Sequence, residues 1–470
     1  MGKYLDGNPA NVKIASIMSN QVDTQSYCPV CAIVVPAQVV EDSGSLFLQS
    51  NCPHCGLRRE RVEHDAVLYK QWEVDRRPNR SPENFQTSCH AVTMRRRMEK
   101  QGCPFDCGLC SNHRQKSCIA LLEVTTACDL GCPVCYADSG GEEFQTLEAI
   151  ERILDAAVES ANGQPEVLQI SGGEPTCHPQ IMEILRAAMA RPFKYVMLNT
   201  NGLALQNGGI NLEELAKLGH GFEVYLQFDG LDDGIYCELR GRPLLAEKRA
   251  ALDALAAHNI PATLVATLRR GLNLEEAGNL LRYALDHPAV RGINFQCEAF
   301  FGRNPRIEHS SERVTQTEVV SVLANTAGEL LGKPDFVPLS CGLACMVYLE
   351  QISKDWKPVP RALFNDWKGN PLTASVEELF DAAASTCLCK GGNLLDKLAK
   401  RLPENLMEQP VEIRSRLVHE RFFHVTIASF LDGWNFDLNR ACRECVHVLQ
   451  PDGTKIPFSA YNTLHRGRHV

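Results

Sequence analysis

No stretch of eighteen apolar residues occurs anywhere in this 470-residue chain, so the sequence predicts no membrane-spanning helix. The opening residues, MGKYLDGNPANVK, lack the apolar core of a secretory signal. An excess of positive charge is missing too. Against 48 Lys and Arg stand 57 Asp and Glu, a net charge of −9, which argues against wholesale nucleic-acid binding. Apolar residues are not scarce: a hydrophobic content of 44% with 22% charged residues excludes a disordered chain. The length leaves room for two or three domains and a large core.

What the sequence has in quantity is cysteine, 21 residues of it. In the cytoplasmic setting expected here, thiols serve more often as metal ligands than as disulfides. Cys28 and Cys31 (CPVC) pair with Cys52 and Cys55 (CPHC) across a twenty-residue gap. Four thiolates on two knuckles suit one zinc or one iron, as a zinc ribbon or a redox-active rubredoxin-like centre. Cys128, Cys132 and Cys135 lie in CDLGCPVCY, directly after an apolar run. A disulfide would strand one of the three, and tetrahedral zinc wants four ligands. Three thiolates on a tight loop suit three irons of a cubane cluster and leave the fourth iron open. The same CxxxCxxC spacing recurs in CPFDCGLC, with Cys103, Cys107 and Cys110. Cys341 and Cys345 (SCGLAC), Cys387 and Cys389 (TCLC), and Cys442 and Cys445 (CREC) supply thiols for a further cubane, with Cys118 available as a fourth ligand to the earlier motif. Cys177, Cys237 and Cys297 read as buried packing residues. Cys89 has no assignment.

Four segments separate. Residues 1–85 form a short-stranded metal domain, and 86–118 a basic, cysteine-rich segment. Residues 119–300 alternate strand and helix, and 301–470 read as mostly helical with scattered cysteines. Charge follows this division: residues 1–118 hold 15 Lys and Arg against 12 Asp and Glu, a balance of +3 that leaves −12 for the rest. The cluster Arg95, Arg96, Arg97 and Lys100 is either a solvated helix face or a dock for the phosphates of a lipid headgroup or RNA.

In 119–300, six apolar runs (IALLEV, VLQIS, YVMLN, EVYLQF, ATLVATL and GINFQC) are separated by helical periods. Six strand–helix repeats imply parallel strands with right-handed crossovers, a partial (βα)6 barrel whose functional face is the C-terminal strand ends. The Cys128–Cys135 loop follows the first strand, and SGGEP (171–175) follows the second. Gly172 and Gly173 would let the backbone approach a ligand closely, with Glu174 as an added acceptor. NTNG (199–202) and QFDG (227–230) end the next two strands, which puts Asn201 and Gln227 at the same mouth, as ligand contacts or as ordinary turn residues. Tyr136 would border the same site.

CDLGCPVCY and SGGEP together resemble the radical S-adenosylmethionine (radical SAM) superfamily. That resemblance implies a TIM-like α/β barrel, a [4Fe–4S] cluster held by Cys128, Cys132 and Cys135, and S-adenosylmethionine bound near Tyr136, Gly172, Gly173, Glu174, Asn201 and Gln227. The wider layout, with GCPFDCGLCSNH, LQFDG, RGINFQ, SCGLAC and PDGTKIPFSAYN, resembles the archaeal tetraether lipid synthases and their folate-linked methylase relatives. It implies two auxiliary [4Fe–4S] clusters, one mononuclear iron or zinc, and carbon–carbon bond formation on lipid alkyl chains. It further implies an amphiphilic substrate drawn through an apolar tunnel lined by C-terminal helices, peripheral contact with the inner membrane face, and a reductant such as flavodoxin or ferredoxin. The rival readings are radical C-methylation of an unactivated carbon, tRNA modification, and a non-enzymatic iron–sulfur redox sensor.

Overall fold

The computed structural model describes residues 21–75, 101–108, 113–115, 117–163, 165, 167–306, 312–339, 341–352, 354–359 and 421–466. Cys89, Cys110, Cys387, Cys389 and the basic cluster Arg95, Arg96, Arg97 and Lys100 lie outside them.

Strands β1 (Gln21–Cys28), β2 (Ile33–Asp42), β3 (Ser45–Cys52) and β4 (Gly56–Glu63) form an antiparallel meander in that order. Ser43 and Gly44, with φ of 50° and 77°, supply the two left-handed residues of a tight hairpin between β2 and β3. Helix α1 (Ala66–Asp75) leads the chain out. The meander docks on the C-terminal region: Thr24 Oγ1 donates to Asp437 Oδ1 at 2.6 Å, Thr317 N and Oγ1 donate to buried Glu63, and Arg58 stacks over Trp434.

The six apolar runs become β5 (Ile119–Glu123), β6 (Val167–Ser171), β7 (Tyr195–Thr200), β8 (Phe222–Gln227), β9 (Ala262–Leu268) and β10 (Val290–Cys297), all parallel to their neighbours. Between them run α2 (Leu147–Ser160), α3 (Ile181–Met189), α4 (Leu203–Asn207), α5 (Leu212–Ala216), α6 (Asp233–Arg240), α7 (Leu245–Ala257) and α8 (Ala277–Asp286). In α2 the buried residues Ile150, Ile153, Leu154 and Ala157 repeat at helical spacing and pack with Leu168 and Ile170 of β6. Every second strand residue therefore faces the helices, and its neighbours face the inside of the curved sheet.

Among the described residues beyond 301, strands accompany the expected helices. After α9 (Gln316–Thr326) come β11 (Val337–Pro338), β12 (Ala344–Ile352), β13 (Asp355–Pro358), β14 (Phe422–Ser429), β15 (Val446–Leu449) and β16 (Lys455–Pro457). β14 pairs parallel with β10, and β15 pairs parallel with β5. Eight parallel strands thus run in the order β15-β5-β6-β7-β8-β9-β10-β14, with β12 and β16 antiparallel outside them. The physical reason is edge satisfaction. A six-stranded open sheet leaves two rows of unpaired backbone groups, and the aromatic and β-branched runs FFHVTIAS and VHVL cover them. Among the described residues, no helix is long and apolar enough to cross a membrane.

Candidate functional site

β5 hands the chain directly to the cysteine loop. Val124 N still pairs with Ser171 O at 2.9 Å, and Thr125 Oγ1 then donates to Glu143 O and accepts from Ala127 N. Cys128, Cys132 and Cys135 follow on this one loop at the C-terminal end of β5, each half-buried. Burial pushes the Cys128 thiol up to about 11 and raises that of Cys132. Such thiols ionise when a cation binds them, so the donor set fits a metal group. Arg303 closes the loop: it exchanges backbone hydrogen bonds with Cys135, each 2.9 Å, and its Nε donates to Cys132 O at 2.8 Å.

The glycines of SGGEP do work that the sequence reading gave to ligand approach. A Cβ on Gly172 would sit 2.4 Å from Thr125 O, and one on Gly173 would sit 2.2 Å from Ala127 O. Gly173 N and Glu174 N donate to those two carbonyls, at 2.7 and 2.8 Å. The close approach is therefore to the backbone that delivers Cys128. Glu174 is likewise engaged. Its buried carboxylate accepts from Thr176 N (3.1 Å), Thr176 Oγ1 (2.7 Å), Thr200 Oγ1 (2.7 Å) and Asn201 N (2.7 Å). Three of these donors meet Oε1 and one meets Oε2, so Glu174 ties the ends of β6 and β7 together.

Asn201 and Gln227 are also committed to protein partners. Asn201 Nδ2 donates to Asp129 Oδ1, in the cysteine loop, at 2.6 Å, and its Oδ1 accepts from Leu203 N. Gln227 donates to Asp229 Oδ2 at 2.8 Å and accepts from Lys248 Nζ at 2.9 Å. Lys248 is fully buried and also donates to Asn201 O; burial lowers its ammonium to about 8. Asp229 and Arg240 form a two-point pair at 2.8 Å each, and Arg240 NH1 reaches Val134 O inside the cysteine loop at 3.1 Å. The guanidinium thus supports the loop from below and brings positive charge near Cys132 and Cys135.

Lys248 and Arg240 escaped the sequence reading because charges on a helix look like a solvated face. Tyr136 does border the mouth: its hydroxyl meets Ser171 Oγ at 2.8 Å, and its ring packs on Phe458 with centroids 5.4 Å apart. The terminal segment unexpectedly covers this wall, with Arg466 over Tyr136 and ion-paired to Glu123 at 2.5 Å.

Below the mouth, the inner sheet face is mixed. Gln169, Asn199, Tyr225, Gln227, Asn294 and Gln296 occupy it beside an apolar cluster of Val167, Tyr195 and Met197, whereas the alternate residues Leu168, Leu198, Val224, Leu226, Ile293 and Phe295 pack towards the helices.

Among the described residues, Cys28, Cys31, Cys52 and Cys55 are the one group of three or more metal-ligating side chains whose donor atoms all lie within 4.8 Å of one another. Sulfur separations of 3.7 Å (Cys31–Cys52) and 3.9 Å (Cys28–Cys55) match the ~3.8 Å implied by tetrahedral Zn–S bonds of about 2.3 Å, and Cys31–Cys55 is shorter at 3.2 Å. The remaining cysteines sort into smaller groups. Cys442 meets Cys103, and Cys445 meets both Cys118 and Cys341; the Cys103 contact pushes Cys442 up, and the Cys118 contact with burial raises Cys445 against the lowering effect of Cys341. Cys107 packs half-buried against the same apolar cluster as Cys118, Cys341 and Cys445. Cys345 sits apart from Cys341, in the main core with Val347 and Ile427. Of the three packing cysteines, Cys297 is buried, Cys177 is half-buried and Cys237 is exposed, the last because it lies on the outer side of α6.

The profile of the Radical SAM superfamily matches residues 122–284, and that of the HMPTM N-terminal zinc ribbon domain matches residues 22–64. The chain is 29% identical over 488 aligned residues to a 7,8-dihydro-6-hydroxymethylpterin dimethyltransferase of Methanocaldococcus jannaschii, covering 94% of each chain. It is 29% identical over 178 residues to a GTP 3',8-cyclase of Chlorobaculum tepidum, across 37% of this chain and 52% of that one. A crystal structure of Streptococcus suis SuiB bound to precursor peptide SuiA aligns at 17% identity with a TM-score of 0.37, covering 46% of this chain and 47% of that one.

Proposed function

With a radical SAM domain at residues 122–284 and a zinc ribbon at 22–64 as its premise, we propose that this chain is a radical SAM enzyme that methylates carbon on a small polar heterocycle of the pterin class. The observation that carries the reading is a row of amides and a phenol on the inner face, Asn199, Tyr225, Asn294 and Gln296, groups suited to a hydrogen-bonding ring. The likeness to a pterin dimethyltransferase over nearly the whole of both chains supports it. Coupling of lipid tails, expected from the tetraether-synthase resemblance, is the rival reading, and the apolar cluster of Val167, Tyr195 and Met197 on the same face is the observation that favours it.

In this reading Cys128, Cys132 and Cys135 hold the [4Fe–4S] cluster, which with S-adenosylmethionine supplies a 5′-deoxyadenosyl radical. The chain's own residues do the rest. Arg303 and Arg240 fix the loop that carries the three thiols. Gly172 and Gly173 let the β6 end lie against it, and Glu174 and Asn201 tie β6 and β7 to Asp129. Tyr136, Phe458 and Arg466 wall one side and exclude water, which a reactive radical requires. Cys103 with Cys442, and Cys118 with Cys341 and Cys445, are the groups this reading assigns to auxiliary clusters. A small electron-transfer protein of the flavodoxin or ferredoxin kind supplies the electron.

Each methylation replaces a C–H hydrogen by a methyl whose carbon comes from a second S-adenosylmethionine or from a one-carbon folate, so the test is anaerobic turnover of the reconstituted, reduced full-length chain with 6-hydroxymethyl-7,8-dihydropterin, S-adenosylmethionine and methylene-tetrahydrofolate. A product heavier by one or two CH2 units, with 5′-deoxyadenosine formed, is expected. Replacing Cys128, Cys132 and Cys135 together by Ala abolishes both. Methylation persisting in that triple variant, or no methylated pterin from the intact protein, sinks the reading.

A further inference from the structure

The C-terminal end of α6 is built against the cysteine loop. Val134 N donates to Leu239 O at 3.4 Å, and a Cβ on Gly241 would stand 3.3 Å from Pro133 Cδ and 3.7 Å from Gly131 O. Gly241 ends the helix in the left-handed conformation, with φ of 87°, so Arg240 is its last residue. Arg240 NH1 donates to Val134 O at 3.1 Å, a carbonyl that the chain places between Cys132 and Cys135. The other edge of the guanidinium, Nε and NH2, meets the two oxygens of Asp229 at 2.8 Å each. The guanidinium therefore stands between the loop and the carboxylate, with positive charge on the loop side. Thr267 fixes the pair further: its Oγ1 accepts from Arg240 NH2 at 3.2 Å, and its backbone N donates to Asp229 Oδ1 at 3.0 Å.

The Asp229 side chain has 0% of its surface exposed and that of Arg240 has 10%, so salt and water do little to screen either charge. Stability is a poor account of such a pair, because an apolar pair of similar volume serves a core as well or better. The other charges packed nearby are Lys248, which donates to Gln227 and so links to Asp229, the buried Glu174, and Asp129 in the loop itself. Burial raises the Cys132 thiol; the Arg240 charge opposes that rise, and the Asp229 charge adds to it more weakly. The loop thus feels the guanidinium ahead of its partner.

We infer that Arg240 and Asp229 set the reduction potential of the cluster assigned to Cys128, Cys132 and Cys135: the guanidinium favours the reduced state, and the carboxylate restrains it. The inference rests on the cluster assignment above and stands whatever the substrate. In the step concerned, one electron passes from a reductant of the flavodoxin or ferredoxin kind to the cluster, which goes from [4Fe–4S]2+ to [4Fe–4S]1+. The reductant is oxidised by one electron, and no bond is made or broken. The thiolate-bound cluster gains one unit of negative charge, which a fixed cation nearby stabilises and a fixed anion opposes. Arginine suits this role, because its planar fork holds the charge in one orientation and does not titrate.

Anaerobic redox titration of the reconstituted full chain, followed by electron paramagnetic resonance of the reduced clusters, reads the potential. The part of the signal missing from the variant with Cys128, Cys132 and Cys135 all replaced by Ala belongs to the loop. Arg240→Gln is expected to lower the equilibrium constant for reduction by about tenfold, which is about 59 mV for one electron. Asp229→Asn, which keeps the shape and removes the negative charge, raises it by a similar factor. Arg240→Lys keeps the charge and stays close to wild type. The double variant Arg240→Gln with Asp229→Asn returns towards wild type, because the two charges are lost together. Iron per chain reports cluster loading in each variant. A purely structural role would lower iron content and leave the potential of the remaining clusters unmoved. Should Arg240→Gln fail to take up iron, Asp229→Asn carries the test alone, and a potential unchanged or lowered there overturns the proposal. Unmoved potentials in iron-replete variants, or shifts of both single variants to the same side, overturn it and leave the cluster assignment standing. A wild-type chain with no such loop signal overturns both.

Discussion

The backbone N–H of Asn201 donates to Glu174 Oε2 at 2.7 Å, between two buried residues at the ends of neighbouring strands. Asn201 then reaches Asp129 within the cysteine loop. One carboxylate therefore fixes the height of β6 against β7, and through Asn201 the placement of Cys128. Its burial raises its pKa, which the four donors partly offset.

Removing that carboxylate leaves Thr200, Thr176 and Asn201 N without their acceptor. Glu174→Ala is expected to cost about 2–4 kcal/mol, since each buried donor left unmet costs about 1–3 kcal/mol and the site relaxes in part. Glu174→Gln keeps one oxygen acceptor and is expected to lose about half as much. Denaturant midpoints measure this. Cluster iron should fall in the same order, and equal stability of both variants with wild type would refute the role.

Gly173→Ala tests the packing of the β6 end against the cysteine loop. Its new Cβ would stand 2.2 Å from Ala127 O, a backbone atom that can move only by shifting the strand that leads to Cys128. Loss of loop iron and of 5′-deoxyadenosine formation is expected. Gly332→Ala, whose nearest contact is an ordinary 3.6 Å, serves as the control and should retain both. Iron per chain, measured after anaerobic reconstitution, decides the matter.

Much of this site was legible beforehand, for identifiable reasons. Strands buried on both faces read as near-continuous apolar runs, so β5 to β10 stand out in the sequence. Thiol spacing marked the paired Cys28–Cys55 set, and the metal-compatible geometry followed. The edge strands were missed because β14 and β15 are short apolar runs far from their partners in sequence, and only the unpaired edges of the sheet call for them. Glu174, Asn201 and Gln227 lie at or just after the ends of β6, β7 and β8, and their protein partners were not foreseen. Asp129, Lys248 and Asp229 meet them through tertiary folding alone. Spacing carries no information about which side of a strand end a carboxylate turns.

The ribbon offers a separable test. Cys55→Ser removes one of the four sulfurs and should abolish the single mononuclear metal while leaving the iron of the barrel in place. Binding energy at such a site is folding energy, so the thermal midpoint of the ribbon is expected to drop, and chelation of the wild-type protein should reproduce it. Metal analysis before and after chelation checks the stoichiometry. The docking bond from Thr24 to Asp437 should weaken with it, seen as faster amide exchange in β1.

Two groups, Glu223 on β8 and His424 on β14, titrate in opposite senses. Burial pushes the Glu223 carboxyl up to about 7, against the Thr263 hydrogen bond and Arg291. Burial pushes His424 down to about 4, partly offset by its bond to the Arg291 backbone. Both face Thr263, from which Glu223 accepts and which lies 3.4 Å from His424 Nε2; Tyr195 flanks Glu223, and Tyr348 flanks His424. A carboxyl raised on folding binds more protons in the native state, so its contribution falls as pH rises from about 4.5 to about 7. An imidazole lowered on folding binds more protons when unfolded, so its contribution grows as pH rises from about 4 to about 6.5. Each slope amounts to at most about 3 kcal/mol over its window, and in the wild type the two nearly cancel between about pH 4.5 and 6.5. Glu223→Gln should therefore unmask stability that climbs with pH across that window, and His424→Asn stability that declines. Thermal midpoints taken from pH 4.5 to 7 on each variant, relative to wild type, read the two slopes directly; variants whose profiles run parallel to wild type would show that neither group titrates where burial places it.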